Sequence, residues 1–408
     1  MIVTVNQTSV STAAKTEGKQ TSIEPQTKII SGLLLRFYQF RILGRVFYLV
    51  SKRSKSLQEA VLHFKNLRAL KKVNTGDIVL RKYTQLGNQY GWTMYAPFFP
   101  SPQFDRLINQ ELDFAQGIAG VQNPLHFIFL SITKKCPLQC EHCFEWDKMH
   151  APEKLSLQDL KDIVYKFQQL NISTVFITGG EPLSRYKDLI ELISYASLEN
   201  KVWVFTSGYS LTPERAIEMK QSGLTGVLIS FDHFIEDKHN AFRGNSKSFE
   251  KALFALQNAQ LAGLLTAISV CVTREFLSVE NLEAYMEFAK NLNVGFVQFL
   301  EPKAEGRYKN EDVLLNADQI QVLEEFYRNF NEDKKKNQYP TIIYQGYHQR
   351  KLGCHGGGKR FLYVDSNGDM QSCPFCSNKM GSALGDTLNY TNGSCLQYSN
   401  VSNQIMKS

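Results

Sequence analysis

Between His126 and about Glu301 the chain repeats one pattern, a short run rich in Val, Ile, Phe or Leu followed by an amphipathic stretch at helical period. The runs fall at 126–133, 173–178, 201–206, 226–231, 266–272 and 296–301. Strands alternating with helices pair in parallel through right-handed crossovers. No Gly-rich dinucleotide fingerprint follows the first run, so the expected fold class is α/β, a partial (βα)6 TIM-like barrel rather than a doubly wound sheet. Helix starts are signalled too. Ser156 with Asp159 has the capping-box pattern, and Thr212-Pro213 sets a cap residue before a proline at the first helical position.

The first run leads into Cys136-Pro137-Leu138-Gln139-Cys140-Glu141-His142-Cys143. Three thiolates at this spacing can wrap one iron–sulfur cube and leave one iron open to a small molecule. A cluster that only carries electrons would want a fourth cysteine close by, and the next is Cys271. A zinc knuckle is the alternative, with His142 as the nominal fourth ligand, but adjacent His142 and Cys143 cannot easily point at one ion. In barrels the chemistry collects at the C-terminal strand ends. The second run ends there in Thr178-Gly179-Gly180-Glu181-Pro182, two glycines that let backbone approach a ligand and one carboxylate.

The cysteine spacing with aromatic Phe144 directly after it, and the Gly-Gly-Glu-Pro run on the next strand end, resemble the signature of the radical S-adenosylmethionine (radical SAM) superfamily. The resemblance implies a [4Fe-4S] cluster on Cys136, Cys140 and Cys143 whose open iron is chelated by S-adenosyl-L-methionine. An electron, from a flavodoxin- or ferredoxin-type donor, then cleaves the sulfonium to methionine and a 5′-deoxyadenosyl radical, which takes a hydrogen atom from substrate. It further implies that Phe144 packs near the adenine and that Gly179, Gly180, Glu181 and Pro182 form the motif at the ligand's amino group. Ser207 would lie by the ribose and carboxylate, Ser230 and Asp232 would make polar contacts after the fourth strand, and Arg243 would sit near the carboxylate. Read alone, Thr206-Ser207-Gly208 is also an ordinary turn, and Arg243 could cap one. Glu301-Pro302 would face substrate, and Cys271 is expected in the core rather than on a metal.

A second cysteine group, Cys354, Cys373, Cys376 and Cys395, lies beyond the barrel, with Asp365 to Met370 as a turn between two short strands. The spacing from Cys354 to Gly368 and Cys373 resembles the start of the SPASM/twitch extension, a cysteine-rich β-hairpin module. That resemblance implies an auxiliary [4Fe-4S] cluster, and four cysteines allow at most one. A zinc site is the alternative here.

Positive charge is concentrated. Residues 36–82 carry a net +10 of the chain's +7, so the remainder is slightly acidic. Residues 30–50 are apolar but interrupted by Arg36, Arg41 and Arg45, which argues against a spanning helix. Either the segment lies on a membrane surface, or it packs on the barrel with its arginines solvated, the reading we favour. No base-reading motif accompanies the charge, so nucleic acid is not an expected partner. Residues 1–28 read as a disordered tail, 29–118 as a basic region with helices and a hairpin at 77–98, 119–335 as the barrel and 336–408 as the cysteine module. The hairpin is a lid, a recognition element or mere packing. Cysteines in metal-like spacings and no secretory signal suggest a cytoplasmic setting, with peripheral membrane contact through 30–50 as an option.

Two function classes compete. An iron–sulfur electron carrier has no use for a Gly-Gly-Glu-Pro loop opposite a three-cysteine site, nor for so large a barrel. The expectation is therefore an enzyme modifying a peptide or protein, with a small-molecule or lipid substrate as the alternative.

Overall fold

The computed structural model describes residues 27–75, 78–116, 124–376, 378–385 and 388, with backbone alone over 70–75. The expected tail lies outside the described residues except for Thr27 and Lys28, and Cys395 lies outside them as well.

An N-terminal unit comes first: β1 (Lys28–Ser31), α1 (Gly32–Lys52), α2 (Leu57–Thr75), β2 (Lys82–Leu86), β3 (Gln89–Gly91) and α3 (Pro102–Ala115). The three strands form an antiparallel sheet in the order β1-β2-β3, and β2 and β3 make the expected hairpin with its turn at Gly87-Asn88. Helix α1 packs on α2, α3 and β1, and Arg45 meets Asp105 at 2.5 Å. The expectation put it on the barrel with its arginines solvated; Arg36 and Arg41 are exposed, but its packing partners are α2, α3 and β1, and several apolar side chains also face solvent. Lys82 is wholly buried and locks the unit to the barrel, donating to Phe330 O at 2.9 Å and Lys336 O at 3.2 Å. Burial lowers its ammonium to about 7.

All six expected strands form: β4 (Phe127–Ser131), β5 (Thr174–Thr178), β6 (Lys201–Thr206), β7 (Gly226–Ser230), β8 (Leu265–Cys271) and β9 (Phe296–Leu300). They pair in parallel and in chain order. Helices α4 (Leu157–Gln169), α5 (Tyr186–Ser197), α6 (Pro213–Gln221), α7 (Glu236–Arg243), α8 (Ser248–Leu261) and α9 (Val279–Asn291) connect them. The Ser156/Asp159 capping box and the Thr212 cap with Pro213 are both made.

The sheet is longer than expected. After α10 (Ala317–Glu332), β10 (Thr341–Tyr344) adds in parallel to β9 and leads into α11 (Gln345–Leu352). On the other edge β11 (Phe361–Val364) adds in parallel to β4, and β12 (Asp369–Gln371) and β13 (Lys379–Ser382) continue antiparallel. The C-terminal hairpin forms where expected, but its first strand belongs to the barrel sheet. The physical reason is that β4 would otherwise leave a row of edge N–H and C=O groups without partners. Side chains fasten the addition: Phe127 and Phe361 stack at 5.2 Å, and Glu111 of α3 accepts from both Arg360 and His126 at 2.5 Å.

Alternate residues of each strand face the bore. Phe127, Phe129, Phe176, Trp203, Leu228 and Phe296 fill it, and Met94 and Phe98 from the segment after β3 enter from the N-terminal ends of the strands. The aromatic run of the hairpin is therefore a plug under the barrel.

Candidate active site

The strand ends meet at one cavity of about 270 Å³. Cys136, Cys140, Cys143 and Phe144 reach it from the loop after β4, and Gly179 and Gly180 from the end of β5. Ser207 follows β6, Ser230 ends β7 with Asp232 just past it, and Arg243 closes α7. Residues that the sequence scatters over a hundred positions thus share one wall system.

Backbone holds the cysteine loop. Gln139 N–H donates to Arg243 O at 3.2 Å, Glu141 N–H to Phe242 O at 2.9 Å, and Glu181 N–H to Lys135 O at 2.7 Å. A Cβ on Gly180 would sit 2.5 Å from Lys135 O, and one on Gly244 2.8 Å from Gln139 O. At Gly306, where φ is +58°, it would overlap Cys143 O. Arg307 Nη1 donates to Gln139 O at 2.6 Å. Gly306→Ala should therefore push the loop off its seat, costing about 1–3 kcal/mol and lowering iron uptake on reconstitution, read by thermal melts and iron analysis. Parent-like iron content and melting would remove Gly306 from the cradle.

Arg243 joins the loop to the barrel. Its Nη1 lies 3.4 Å from Cys140 Sγ and its Nε 2.5 Å from Asp232 Oδ2, while Asp232 Oδ1 accepts from Cys271 N–H at 3.0 Å. Burial opposes ionisation of Asp232, but Arg243 and nearby histidines hold its carboxyl below the usual range. Cys271 is buried as expected and also reaches the cavity wall. Burial, with the neighbouring thiols, pushes Cys136 and Cys143 up to about 12. A bound iron cluster would supply the positive charge that holds thiols so placed as thiolates. His142 Nδ1 is buried with no partner among the described residues, its ring stacked on Phe242 at 4.7 Å. No three His, Cys, Asp or Glu among the described residues close on a single ion. The donor set and cradle fit a cluster.

Glu181 stands behind the cavity wall. It is buried but does not line the cavity. Oε1 accepts from Thr206 Oγ1 at 2.6 Å and Leu183 N–H at 3.1 Å, and Oε2 accepts from Ser207 N–H at 2.8 Å and Ser207 Oγ at 2.5 Å. All four acceptor positions of the carboxylate are in use. Pro182 opens the short turn behind it, away from the cavity.

Several lining residues went unread in the sequence. Tyr95, from the plug, forms the floor with Gln298, whose Nε2 donates to its hydroxyl at 2.5 Å. Glu145, buried and accepting from the Tyr363 hydroxyl, faces the cavity, and burial raises its carboxyl. Glu301, which was expected there, lines the far rim with Lys303, Gln345 and Gln349, held by Arg350 at 2.7 Å. The aromatic run at 92–99 was the one signal that could have found Tyr95.

Cys373 also lines the cavity, and Phe375 packs edge-on to Phe144 at 5.5 Å. Gly357 N–H donates to Ser372 O at 3.0 Å and Gly356 N–H faces Cys354 Sγ at 3.3 Å, so the two cysteine loops are joined. Cys376 follows one turn on, its N–H bonded to Cys373 O at 3.1 Å. None of the seven described cysteines is in a disulfide.

Comparison with known proteins agrees with this geometry. Residues 130–292 match the radical SAM superfamily. The mycofactocin maturase MftC of Mycolicibacterium smegmatis is 29% identical over 265 residues, 60% of this chain and 63% of that one. The AdoMet-dependent heme synthase of Nitratidesulfovibrio vulgaris is 27% identical over 272 residues, 60% of this chain and 72% of its own. The chain thus spans somewhat under two thirds of the mycofactocin maturase it matches. Among solved structures, Streptococcus suis SuiB bound to the precursor peptide SuiA has a TM-score of 0.56 at 14% identity, covering 84% of this chain and 79% of that one, which shows the same fold.

Proposed function

We propose that this chain, whose residues 130–292 match the radical SAM superfamily, is an enzyme that cleaves S-adenosyl-L-methionine reductively and uses the radical to modify a peptide or protein. The observation that carries the reading is the convergence of Cys136, Cys140 and Cys143 with Gly179, Gly180, Ser207 and Ser230 on one cavity at the strand ends. When bound, the [4Fe-4S] cluster and S-adenosyl-L-methionine supply one-electron cleavage to methionine and a 5′-deoxyadenosyl radical. Cys136, Cys140 and Cys143 would hold the cluster on the loop that Gly180, Gly244 and Gly306 cradle. Gly179 and Gly180 present bare backbone to the ligand, and Ser207 and Ser230 offer it hydroxyls. Phe144, Phe129, Phe205 and Phe375 exclude water from the space between ligand and substrate. Lys303, Glu301, Gln345 and Gln349 give the far rim the polar groups that a peptide backbone pairs with. Tyr95 bounds the depth to which a side chain can enter. Reduced, reconstituted protein incubated anaerobically with S-adenosyl-L-methionine should form 5′-deoxyadenosine, and none above a no-protein control would refute the reading.

A peptide substrate is supported by the SuiB structure, whose fold this chain shares and which holds a precursor peptide. The heme synthase relative favours the alternative, a small molecule. The electron donor would be of flavodoxin or ferredoxin type, the setting cytoplasmic, with a peripheral membrane contact through residues 30–50.

We assign Glu181 a positioning role, since it ties the ends of β5 and β6 together. Glu181→Ala leaves the Thr206 and Ser207 donors without their acceptor, which should lower stability by about 1.5–3 kcal/mol for a bond to a charged group and, by releasing Ser207 from its place on the cavity wall, weaken ligand binding. Iron content should be retained, and equilibrium binding of S-adenosyl-L-methionine is the measurement. Unchanged affinity would leave Glu181 a local turn residue.

Cys354, Cys373 and Cys376, with Cys395, are proposed to hold an auxiliary cluster against the cavity. The parent should then carry about eight irons and the Cys136/Cys140/Cys143 triple alanine variant about four, as two four-iron cubes require. Four irons and one zinc in the parent would make the module a structural staple.

A further inference from the structure

Helix α1 buries Leu35, Ile42, Val46, Leu49 and Val50 and turns a second apolar face outward. Leu33, Phe37, Phe40 and Tyr48 recur at helical spacing within a sector of roughly 80° on the side opposite the buried face. They are exposed to 81%, 55%, 74% and 50%, fractions too high for rings and branched chains that merely rim a core. At 100° per residue Arg36 falls on one flank of this stripe and Arg41 on the other. The neighbouring helix adds exposed Leu57, Val61 and Leu62. No helix among the described residues is long and apolar enough to cross a membrane.

We propose that this face of α1 is a docking surface for an anionic lipid bilayer, lying in the interface plane with Leu33, Phe37 and Phe40 in the headgroup boundary and Arg36 and Arg41 on lipid phosphates. An apolar stripe flanked by cations is the chemistry such a surface takes. Charge complementarity separates it from the other occupants. A second copy packed on this face would bring Arg36 and Arg41 against the same two arginines of its twin, and a plain hydrophobic partner would leave them without counter-charge. The proposal makes the peripheral contact suggested above specific to one face, and it does not depend on the radical chemistry.

The test floats the full-length protein with vesicles of phosphatidylcholine alone and of phosphatidylcholine with phosphatidylglycerol. Retention is expected on the anionic vesicles, about tenfold or more weaker on the neutral ones and at high salt. Phe37→Ser with Phe40→Ser should lower it by about tenfold or more, and Arg36→Gln with Arg41→Gln likewise, with thermal melting and 5′-deoxyadenosine formation in solution unchanged. No retention on either vesicle, or retention of the serine variant equal to the parent's, overturns the proposal. So does light scattering that shows a parent dimer which the serine variant dissociates, because the face is then covered by a second copy. Absent vesicle binding with intact cleavage refutes this proposal alone, and vesicle binding without cleavage refutes the radical reading alone.

Discussion

Cys140→Ala is expected to abolish 5′-deoxyadenosine formation while the barrel stays folded. Cys140 is the most enclosed of the three loop cysteines, 7% exposed, and the one whose sulfur Arg243 touches. With one of three thiolates gone the cube has no stable seat, because only three corners have protein ligands from the start. The loop itself is tied down by backbone bonds from Gln139, Glu141 and Glu181, so the substitution should leave melting near the parent value. Three readings on one preparation decide the matter: product assay, iron content and far-UV melting. Full cleavage in the variant would show that the loop does not carry the cluster, and collapse of the fold would show that Cys140 acts chiefly in packing.

Asp232→Ala should have the largest effect on stability. It leaves the buried Arg243 guanidinium without its carboxylate, and breaking one side of a buried pair costs roughly 3–5 kcal/mol. Arg243 would then swing from Cys140, so iron retention should fall together with the denaturant midpoint. The sign with pH follows from the depressed carboxyl of Asp232. Its contribution is complete above the ordinary aspartate value of about 3.9 and is lost only as pH falls through the lower folded value. The parent should therefore keep its advantage over the variant through mild acid, the two converging only under strongly acid conditions. A variant with parent stability and full iron would mean that the pair contributes nothing net.

Six strands could be read from the sequence to within a residue or two because each is a short β-branched or aromatic run bounded by a capped helix, and both signals are local. The ends of β4 and β5 could be read as chemistry for the same reason, since Cys136 to Cys143 and Gly179-Gly180 carry their spacing along the chain. Ser207 and Arg243 were visible by themselves only as turn residues and Ser230 only as the end of a strand, and it is the tertiary fold that brings them to one cavity.

What the tertiary structure alone decided is pairing and direction. Phe361 to Val364 has the composition of any hairpin strand, and nothing in it announces β4 as a neighbour; an open sheet edge needed hydrogen-bond partners, and this strand was within reach. Gly244 and Gly306 look like ordinary loop glycines until the cysteine loop is laid against them. Tyr95 looks like part of an aromatic hairpin until the bore of the barrel receives it. The sequence does not show that Glu181 will accept from Thr206 and Ser207, twenty-odd residues away. Residue type and local period specify strands, caps and thiolate donors because those depend on neighbours in the chain, whereas lone pairs, edges and cavities are filled by whatever the fold brings close, which no local pattern encodes.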